Sequence, residues 1–363
     1  MAEHKRRLNI AMIGSGFVAA AHSNAFHQVG RFFEVPLELC PRVVCGRDQA
    51  RLQTFAQRWG WQGTATDWQA VVTRGDIQIV DIAVPNALHA PIAIAAAQAG
   101  KIVLCEKPLA VSADEARQMV SAVGKAPSLV WFNYRRVPAI ALARQLIEDG
   151  HIGRVFHYRA CYFNQSGTDP SKGHSWRYRR SEAGSGAMGD LLSHLLDTAL
   201  YLNGDIREIS ALTHTFASGR DVDDAVMLMA RFANGSLGSF EASRFGTGRR
   251  NGQGFEIYGS KGSLAFDLED MNWLRYCDAT EPAPLQGSRK LLATGPDHPY
   301  SANFWKPGHT LGYEHTFIAT LGDFLQALAE NQAFHPDFED GLKVQKLLAA
   351  TELAALSSNV VNV

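Results

Sequence analysis

A chain of 363 residues is longer than one ordinary hydrophobic core supports, so two domains are expected. A formal net charge of −1 gives no general attraction to nucleic acid or to an anionic membrane, and no stretch approaches the length of a membrane span. The five cysteines (Cys40, Cys45, Cys105, Cys161, Cys277) show no CxxC spacing and lie partly inside apolar runs. They read as buried free thiols in a reducing compartment, so a cytoplasmic protein is expected. The basic start is followed by an apolar run that glycines break after six residues, too short for the core of a secretion signal.

Leu8–Ile13 is a short apolar run fit for one buried strand. Gly14-Ser15-Gly16 follows at once, and Phe17-Val18-Ala19-Ala20-Ala21 opens a helix. Strand, glycine turn and helix form the layout that holds a dinucleotide pyrophosphate: the first glycine makes the turn, the second removes a Cβ, and N–H groups at the helix start face the anion. Ala19 stands where a third glycine is common and still permits close helix–strand packing. Arg31–Pro41 reads as an irregular excursion and Arg42–Cys45 as the second strand, with Asp48 capping the next helix. The second strand ends in Gly46-Arg47 where an acidic residue would bond both ribose hydroxyls. Arg47 can grip a 2′-phosphate, which favours NADP over NAD; it can equally stack on adenine or stay solvated.

Ile79–Val84 is a third strand stopped by Pro85-Asn86, and the helix from His89 to Ala99 follows. Ile102–Cys105 is a fourth, then a helix over Ala113–Val123 capped by Ser112, and Leu129–Phe132 is a fifth. Apolar strands alternating with helices imply a parallel, doubly wound sheet, whose ligands sit beyond the carboxyl ends of its strands. Near residue 150 the rhythm changes. Six runs between Val155 and Phe266 read as strands, some joined by hairpin turns at Asn234-Gly235 and Lys261-Gly262, and one helix over Gly186–Leu202 interrupts them. Asp278–His309, rich in Pro and Gly, reads as a long excursion able to act as a lid, and helices over Glu314–Asn331 and Phe338–Ser358 close the chain. The fold expected is α/β: a Rossmann doubly wound parallel sheet over residues 1–135, then an α+β domain over 136–363 with a large open, mostly antiparallel sheet. The last helices are free to pack back on the first domain.

Two places carry chemistry. Lys107, in Cys105-Glu106-Lys107-Pro108, ends the fourth strand, where an ammonium can hold a substrate hydroxyl; pairing with Glu106 at a surface turn is the plainer reading. Asp190 and His194, in Gly189-Asp190-Leu191-Leu192-Ser193-His194, are four apart and share a helix face, with Asp197 one turn on. An imidazole oriented by a carboxylate suits alcohol oxidation, in which carbon loses hydride and the hydroxyl loses a proton. A solvated helix face is the plainer reading here too, and no metal is called for, since hydride transfer to nicotinamide needs none.

Taken together, GSGFVAAAH, AVPNALH (Ala83–His89), CEKPLA (Cys105–Ala110) and GDLLSHLLD (Gly189–Asp197) resemble the glucose–fructose oxidoreductase/inositol dehydrogenase (Gfo/Idh/MocA) family, in its order and over nearly the whole chain. The resemblance implies an NAD(P)-dependent dehydrogenase acting on a sugar, anhydrosugar or cyclitol, with Lys107 as catalytic lysine, His194 as general base and Asp190 as positioning carboxylate. It implies nicotinamide-side contacts from Pro85, Asn86 and Glu106 and an open sheet that forms homodimers or homotetramers; Gly46-Arg47 departs from its pattern. With the glycine turn and the strand ends, the expected cofactor contacts are Gly14, Ser15, Gly16, Phe17, Val18, Arg47, Pro85, Asn86, His89, Glu106 and Lys107. Within the family the chain is most similar to levoglucosan and pyranoside dehydrogenases, through Asn133-Tyr134-Arg135-Arg136, Trp176-Arg177, the Asp223-Asp224 hairpin and the loop Gly295–Tyr300. Tyr134, Arg135 and Trp176 are therefore candidate substrate contacts, with core packing the alternative for Tyr134 and Trp176 and a structural role the alternative for Arg135. A non-catalytic sugar- or dinucleotide-sensing regulator of the same fold is the alternative function.

Overall fold

The computed structural model describes residues 5–169 and 175–363, so the first four residues of the basic start lie outside it. By compactness the chain divides into a unit running to Asn133 and joined by Tyr313–Lys343, and a second unit of Tyr134–Gly312 and Val344–Val363.

The first unit is built on a parallel sheet. Its strands are β1 (Arg6–Ile13), β2 (Leu37–Cys45), β3 (Thr64–Ala65), β4 (Ile79–Ile82), β5 (Ile102–Cys105) and β6 (Ser128–Val130), in the order β3-β2-β1-β4-β5-β6. Helices α1 (Phe17–Phe32), α2 (Gln49–Trp59), α3 (Trp68–Val72), α4 (His89–Gln98) and α5 (Ala113–Val123) connect them. The order reverses beside β1, which is where a doubly wound sheet opens a crevice at its carboxyl edge. Every residue of β4 is buried, which accounts for its unbroken apolar run around one carboxylate, Asp81. Two expectations need correcting. The excursion before Arg42 is strand: β2 starts at Leu37 and absorbs Pro41 opposite Ile10, where the register with β1 slips. A proline lacks the N–H for a regular ladder, and the irregularity accommodates it. The two-residue β3 was also not anticipated, being too short to show a period.

The second unit begins with α6 (Pro138–Glu148) and carries a nine-stranded sheet. Its strands are β7 (Val155–Phe163), β8 (Ile206–His214), β9 (Ala225–Phe232), β10 (Leu237–Ser243), β11 (Gly252–Gly259), β12 (Gly262–Asp267), β13 (Trp273–Asp278), β14 (Arg289–Leu292) and β15 (Val361–Asn362). The order is β14-β13-β12-β11-β7-β10-β9-β8-β15, antiparallel except for the β7–β10 pair. Between β7 and β8 lie the single-turn helix α7 (Arg180–Ala183) and α8 (Ser193–Asn203). Asp278–His309 is thus not one irregular excursion, because β14 pairs with β13 inside it. The helix expected over Gly186–Leu202 starts as a π-helical turn, Met188–Leu192, before continuing as α8. The closing helices are α9 (Tyr313–Glu330) and α10 (Phe338–Ser357). Among the described residues no helix is long and apolar enough to cross a membrane.

Candidate active site

The glycine turn of the first unit has the shape its sequence predicts. Gly14 has φ +123°, and a Cβ on it would stand 2.2 Å from the Ala83 carbonyl oxygen, so no other residue fits between β1 and β4. A Cβ on Gly16 would meet nothing within 4 Å, so the space above the turn is open. Gly16 precedes α1 with no side chain capping the helix and no acidic residue in its first turn. The donors of Phe17 and Val18 at that end are therefore available to an anion, which is the fit a dinucleotide pyrophosphate requires. Ala19 is fully buried, as close helix–sheet packing demands. Phe17 stands 76% exposed, stacked only loosely on Tyr313 at 6.1 Å. Arg47 is exposed, while Arg51, which sequence reasoning passed over, donates from Nη2 to the Ser15 carbonyl at 3.2 Å. A basic residue one turn into α2 was the available signal.

The loops after β4 and β5 lie at the same carboxyl edge. Asn86 is buried and Pro85 partly so. His89 is fully buried, each ring nitrogen 3.0 Å from a carbonyl oxygen, of Pro108 and of Val84. Burial pushes its pKa down, so the neutral ring donates to one of these two carbonyls and packs against the other. The ring has no accessible surface of its own and lies between the two loops. Glu106 is buried and its Oε2 accepts the Lys107 N–H at 3.0 Å, leaving the Lys107 side chain part-exposed at the strand end. Beneath lies a cluster whose importance sequence reasoning missed. His22, from α1, contacts Asp81 Oδ2 at 2.8 Å and Glu106 Oε1 at 3.1 Å, and Trp131 Nε1 donates to Asp81 Oδ1 at 2.8 Å. The signal was present: a carboxylate inside a wholly apolar central strand must have partners.

In the second unit the residues around the π-turn are held by charge. Asp223 accepts from the Gly186 and Met188 N–H groups, both at 2.7 Å, and fixes the start of the turn. Asp190 emerges from it part-exposed, with Arg244 Nη2 at 3.1 Å from its Oδ2. Arg244 is 2% exposed, also donates to the Arg177 carbonyl at 3.2 Å, and lies over the Tyr178 ring. Asp224 accepts from Arg220 at 2.6 Å and from the Phe216 and Ala217 N–H groups. His194 is 6% exposed, its ring 4.7 Å from that of Tyr134 and 6.0 Å from that of Tyr162. The Tyr162 hydroxyl donates to Asn251 Oδ1 at 2.6 Å. Asp190 and His194 thus stand among Arg244, Tyr134, Tyr162 and Asn251, of which only Tyr134 was singled out in advance. Arg135 is buried and forks onto Asp197 at 2.6–3.1 Å, so its guanidinium braces α8. Trp176 is part-exposed with Arg177 stacked on it at 4.6 Å.

Among the described residues, His335, Asp337 and Asp340 are close enough to share a metal ion, but their bonds to one another and to backbone cap the start of α10.

Residues 8–134 match the family model described as oxidoreductase family, NAD-binding Rossmann fold, and residues 140–265 match the GFO/IDH/MocA C-terminal domain. Levoglucosan dehydrogenase of Pseudarthrobacter phenanthrenivorans is 40% identical, over 93% of this chain and 94% of that protein. Among solved structures, an oxidoreductase domain protein from Kribbella flavida superposes with a TM-score of 0.96 at 48% identity, covering 98% of this chain and 99% of that one. A levoglucosan dehydrogenase in complex with NADH superposes with a TM-score of 0.96 at 40% identity, covering 99% of both chains. The chain is accordingly an oxidoreductase of the EC 1.1.1 type and a member of the Gfo/Idh/MocA family.

Proposed function

We propose that this enzyme oxidises a secondary ring hydroxyl of a sugar or anhydrosugar to the ketone, reversibly, with NAD as its cofactor. The observation that carries the proposal is the likeness to levoglucosan dehydrogenase along nearly the full length of both chains. The open space over Gly16 and the uncapped start of α1 suit the pyrophosphate, with Ser15, Phe17, Val18, Pro85 and Asn86 as its further neighbours. NAD, when bound, supplies the hydride acceptor. Preference for NAD over NADP is supported by the NAD-binding family description and by the NADH complex of the related enzyme. Arg47 is then a solvated or adenine-stacking residue rather than a phosphate grip.

In this reading Lys107 and His194 handle the hydroxyl proton. Glu106 fixes the backbone from which Lys107 projects, and burial among aromatic rings holds His194 in one place. Asp190, held by Arg244, accepts from a neighbouring substrate hydroxyl, and Tyr134 and Trp176 offer aromatic surface to the ring. The open face of the nine-stranded sheet is proposed to join copies of the chain, and a cytoplasmic location is retained as a proposal.

The test is a panel of sugars, anhydrosugars and cyclitols, each with NAD and with NADP, followed by absorbance of the reduced nicotinamide. Turnover with an anhydrosugar or pyranose and NAD is expected. Lys107→Ala and His194→Ala should each lower kcat by about 10²–10⁴-fold, the range for a lost proton-transfer group, with NADH affinity kept. Near-normal rates in both variants would remove these assignments. Silence across the panel with tight NADH binding would favour a sensing role.

A further inference from the structure

The cluster under the β5 loop extends the chemistry beyond the lysine itself. His22 has no accessible surface, and both of its ring nitrogens face carboxylate oxygens, Asp81 Oδ2 at 2.8 Å and Glu106 Oε1 at 3.1 Å. A carboxylate only accepts, so satisfying both makes the ring a donor at both nitrogens and therefore a cation. The remaining oxygens are also occupied: Trp131 Nε1 donates to Asp81 Oδ1 at 2.8 Å, and the Lys107 N–H to Glu106 Oε2 at 3.0 Å. The Trp131 ring stacks on the imidazole at 4.0 Å, and Phe317 of α9 approaches it at 5.3 Å. A continuous chain of contacts thus runs from Trp131 through Asp81, His22 and Glu106 to the backbone of Lys107.

The surrounding charges support a protonated ring. Burial opposes the charge on His22, but Asp81 and Glu106 outweigh it and hold the imidazole up to about 9. Other titratable groups beside this pair of carboxylates are Cys105 of β5, whose thiol burial pushes well up, His89 of α4, which burial pushes down, and Lys107, next in the chain to Glu106. Cys105 and His89 stay neutral near pH 7, and His22 is the cation whose ring meets both carboxylates directly. Packing alone would not require a charged ring here, since an apolar side chain stacks on Trp131 without two buried anions to neutralise.

We infer that His22 is a positioning residue for the oxidation: a buried imidazolium that fixes the Glu106 carboxylate, and through it the segment that presents Lys107. The inference rests on the reading of Lys107 given above. If the imidazolium is removed, Asp81 and Glu106 face each other without a counter-charge. They then share a proton, or Glu106 turns toward the lysine ammonium; either way Lys107 loses its fixed presentation.

The experiment is a double-mutant cycle of His22→Gln and Glu106→Gln, measured as kcat, KM for sugar and for NAD, and NADH affinity, across the pH window from 6.5 to about 9. Each single variant should lose about ten- to a hundredfold in kcat, the scale of a slightly misplaced catalytic group, with NADH affinity changed far less. The loss in His22→Gln should be largest at the acid end and shrink toward the alkaline end, where the wild-type imidazole itself loses its proton and its counter-charge. The double variant should be no worse than the poorer single one, because His22 acts through Glu106. Wild-type kcat in either single variant, multiplicative losses in the double, or a deficit in His22→Gln equal at every pH would each overturn the proposal. If His22→Gln does not fold, Glu106→Gln still decides, since wild-type kcat in it is incompatible with the inference. Lys107→Ala separates the two levels: an active Lys107→Ala removes the reading of the lysine, whereas an inactive one beside a fully active His22→Gln removes only the role of His22.

Discussion

His22 also couples folding to pH. Its imidazole is held up to about 9 in the folded chain against 6.5 unfolded, so the stabilisation is fully present below 6.5 and is lost as pH rises through about 9. A rise of this size corresponds to a contribution on the order of 3 kcal/mol. Urea unfolding of the wild-type protein should therefore shift to lower denaturant between these two pH values, and the shift should be largely absent in His22→Gln; equal shifts in both proteins would contradict the buried imidazolium. Arg244 makes a comparable case beside Asp190. Truncation to Ala removes a cation bonded to Asp190 and leaves a void where a nearly inaccessible guanidinium stood. Arg244→Ala should lower kcat/KM for the sugar by at least about tenfold while NADH affinity stays unchanged, because Arg244 and the glycine turn lie in different compact units. A loss confined to NADH binding would detach Arg244 from the substrate. Such residues were hard to read in the sequence. Lys107, Asp190 and His194 announce themselves by short motifs, whereas Arg244 follows a strand and meets Asp190 across 54 positions. No local pattern encodes that pairing.

The segment that carries Asp190 shows where local reasoning succeeds and stops. Apolar spacing from Leu191 to Ala199 predicts a helix, and Leu191, Leu192, Leu195, Leu196 and Ala199 are buried as it requires, but the polar side expected to be solvated is buried as well, at Ser193, His194, Asp197 and Thr198. It does not foresee the π-turn over Met188–Leu192, which is set from outside by Asp223 drawing in the Gly186 and Met188 N–H groups. Gly186 is needed there for a stated reason: a Cβ would stand 1.7 Å from the Asp223 carbonyl oxygen. Gly186→Ala should cost about 3 kcal/mol, the upper end of ordinary overpacking, and depress activity by displacing the turn. Urea unfolding with a sugar-oxidation assay checks both, and unchanged stability would refute the contact. The same contrast runs through the strands. Those with a long apolar or alternating run are legible; β3, β14 and β15 are two to four residues long and gain their strand character only from a neighbour. The strand β2 hid because Pro41 is an argument against strand until the slipped register opposite Ile10 is seen.

The self-association proposed above is expected on the second unit's sheet. One face of it is covered, and along β8, β9 and β10 the alternate residues Leu212, Met227, Met229 and Leu237 point the other way with 45–68% of their surface exposed. Pairing places them together: Met227 lies opposite Leu212 and Glu241, Met229 opposite Ser210 and Ser239, Arg231 opposite Leu237 and Glu208. Toward β7 and β11 the same face becomes ionic, with Arg159 bonded to Glu256 at 3.0 Å. An apolar strip bordered by paired charges is a poor surface for an isolated chain and a good one for a two-fold contact, in which the same strip serves both partners. A sheet face also offers the area such a contact needs, roughly 800 Å² from each partner, without any change of backbone. The expected outcome is a dimer or tetramer at micromolar concentration by sedimentation velocity, and Met229→Asp should shift the protein to a smaller species. Carboxylates brought together across the two-fold axis would have to be desolvated with no cation added to meet them, which costs more than the methionine contacts return. Folding should be spared, because Met229 is exposed on its own strand and its side chain makes no part of the core. An unchanged sedimentation coefficient in a folded Met229→Asp would place any self-association on another surface.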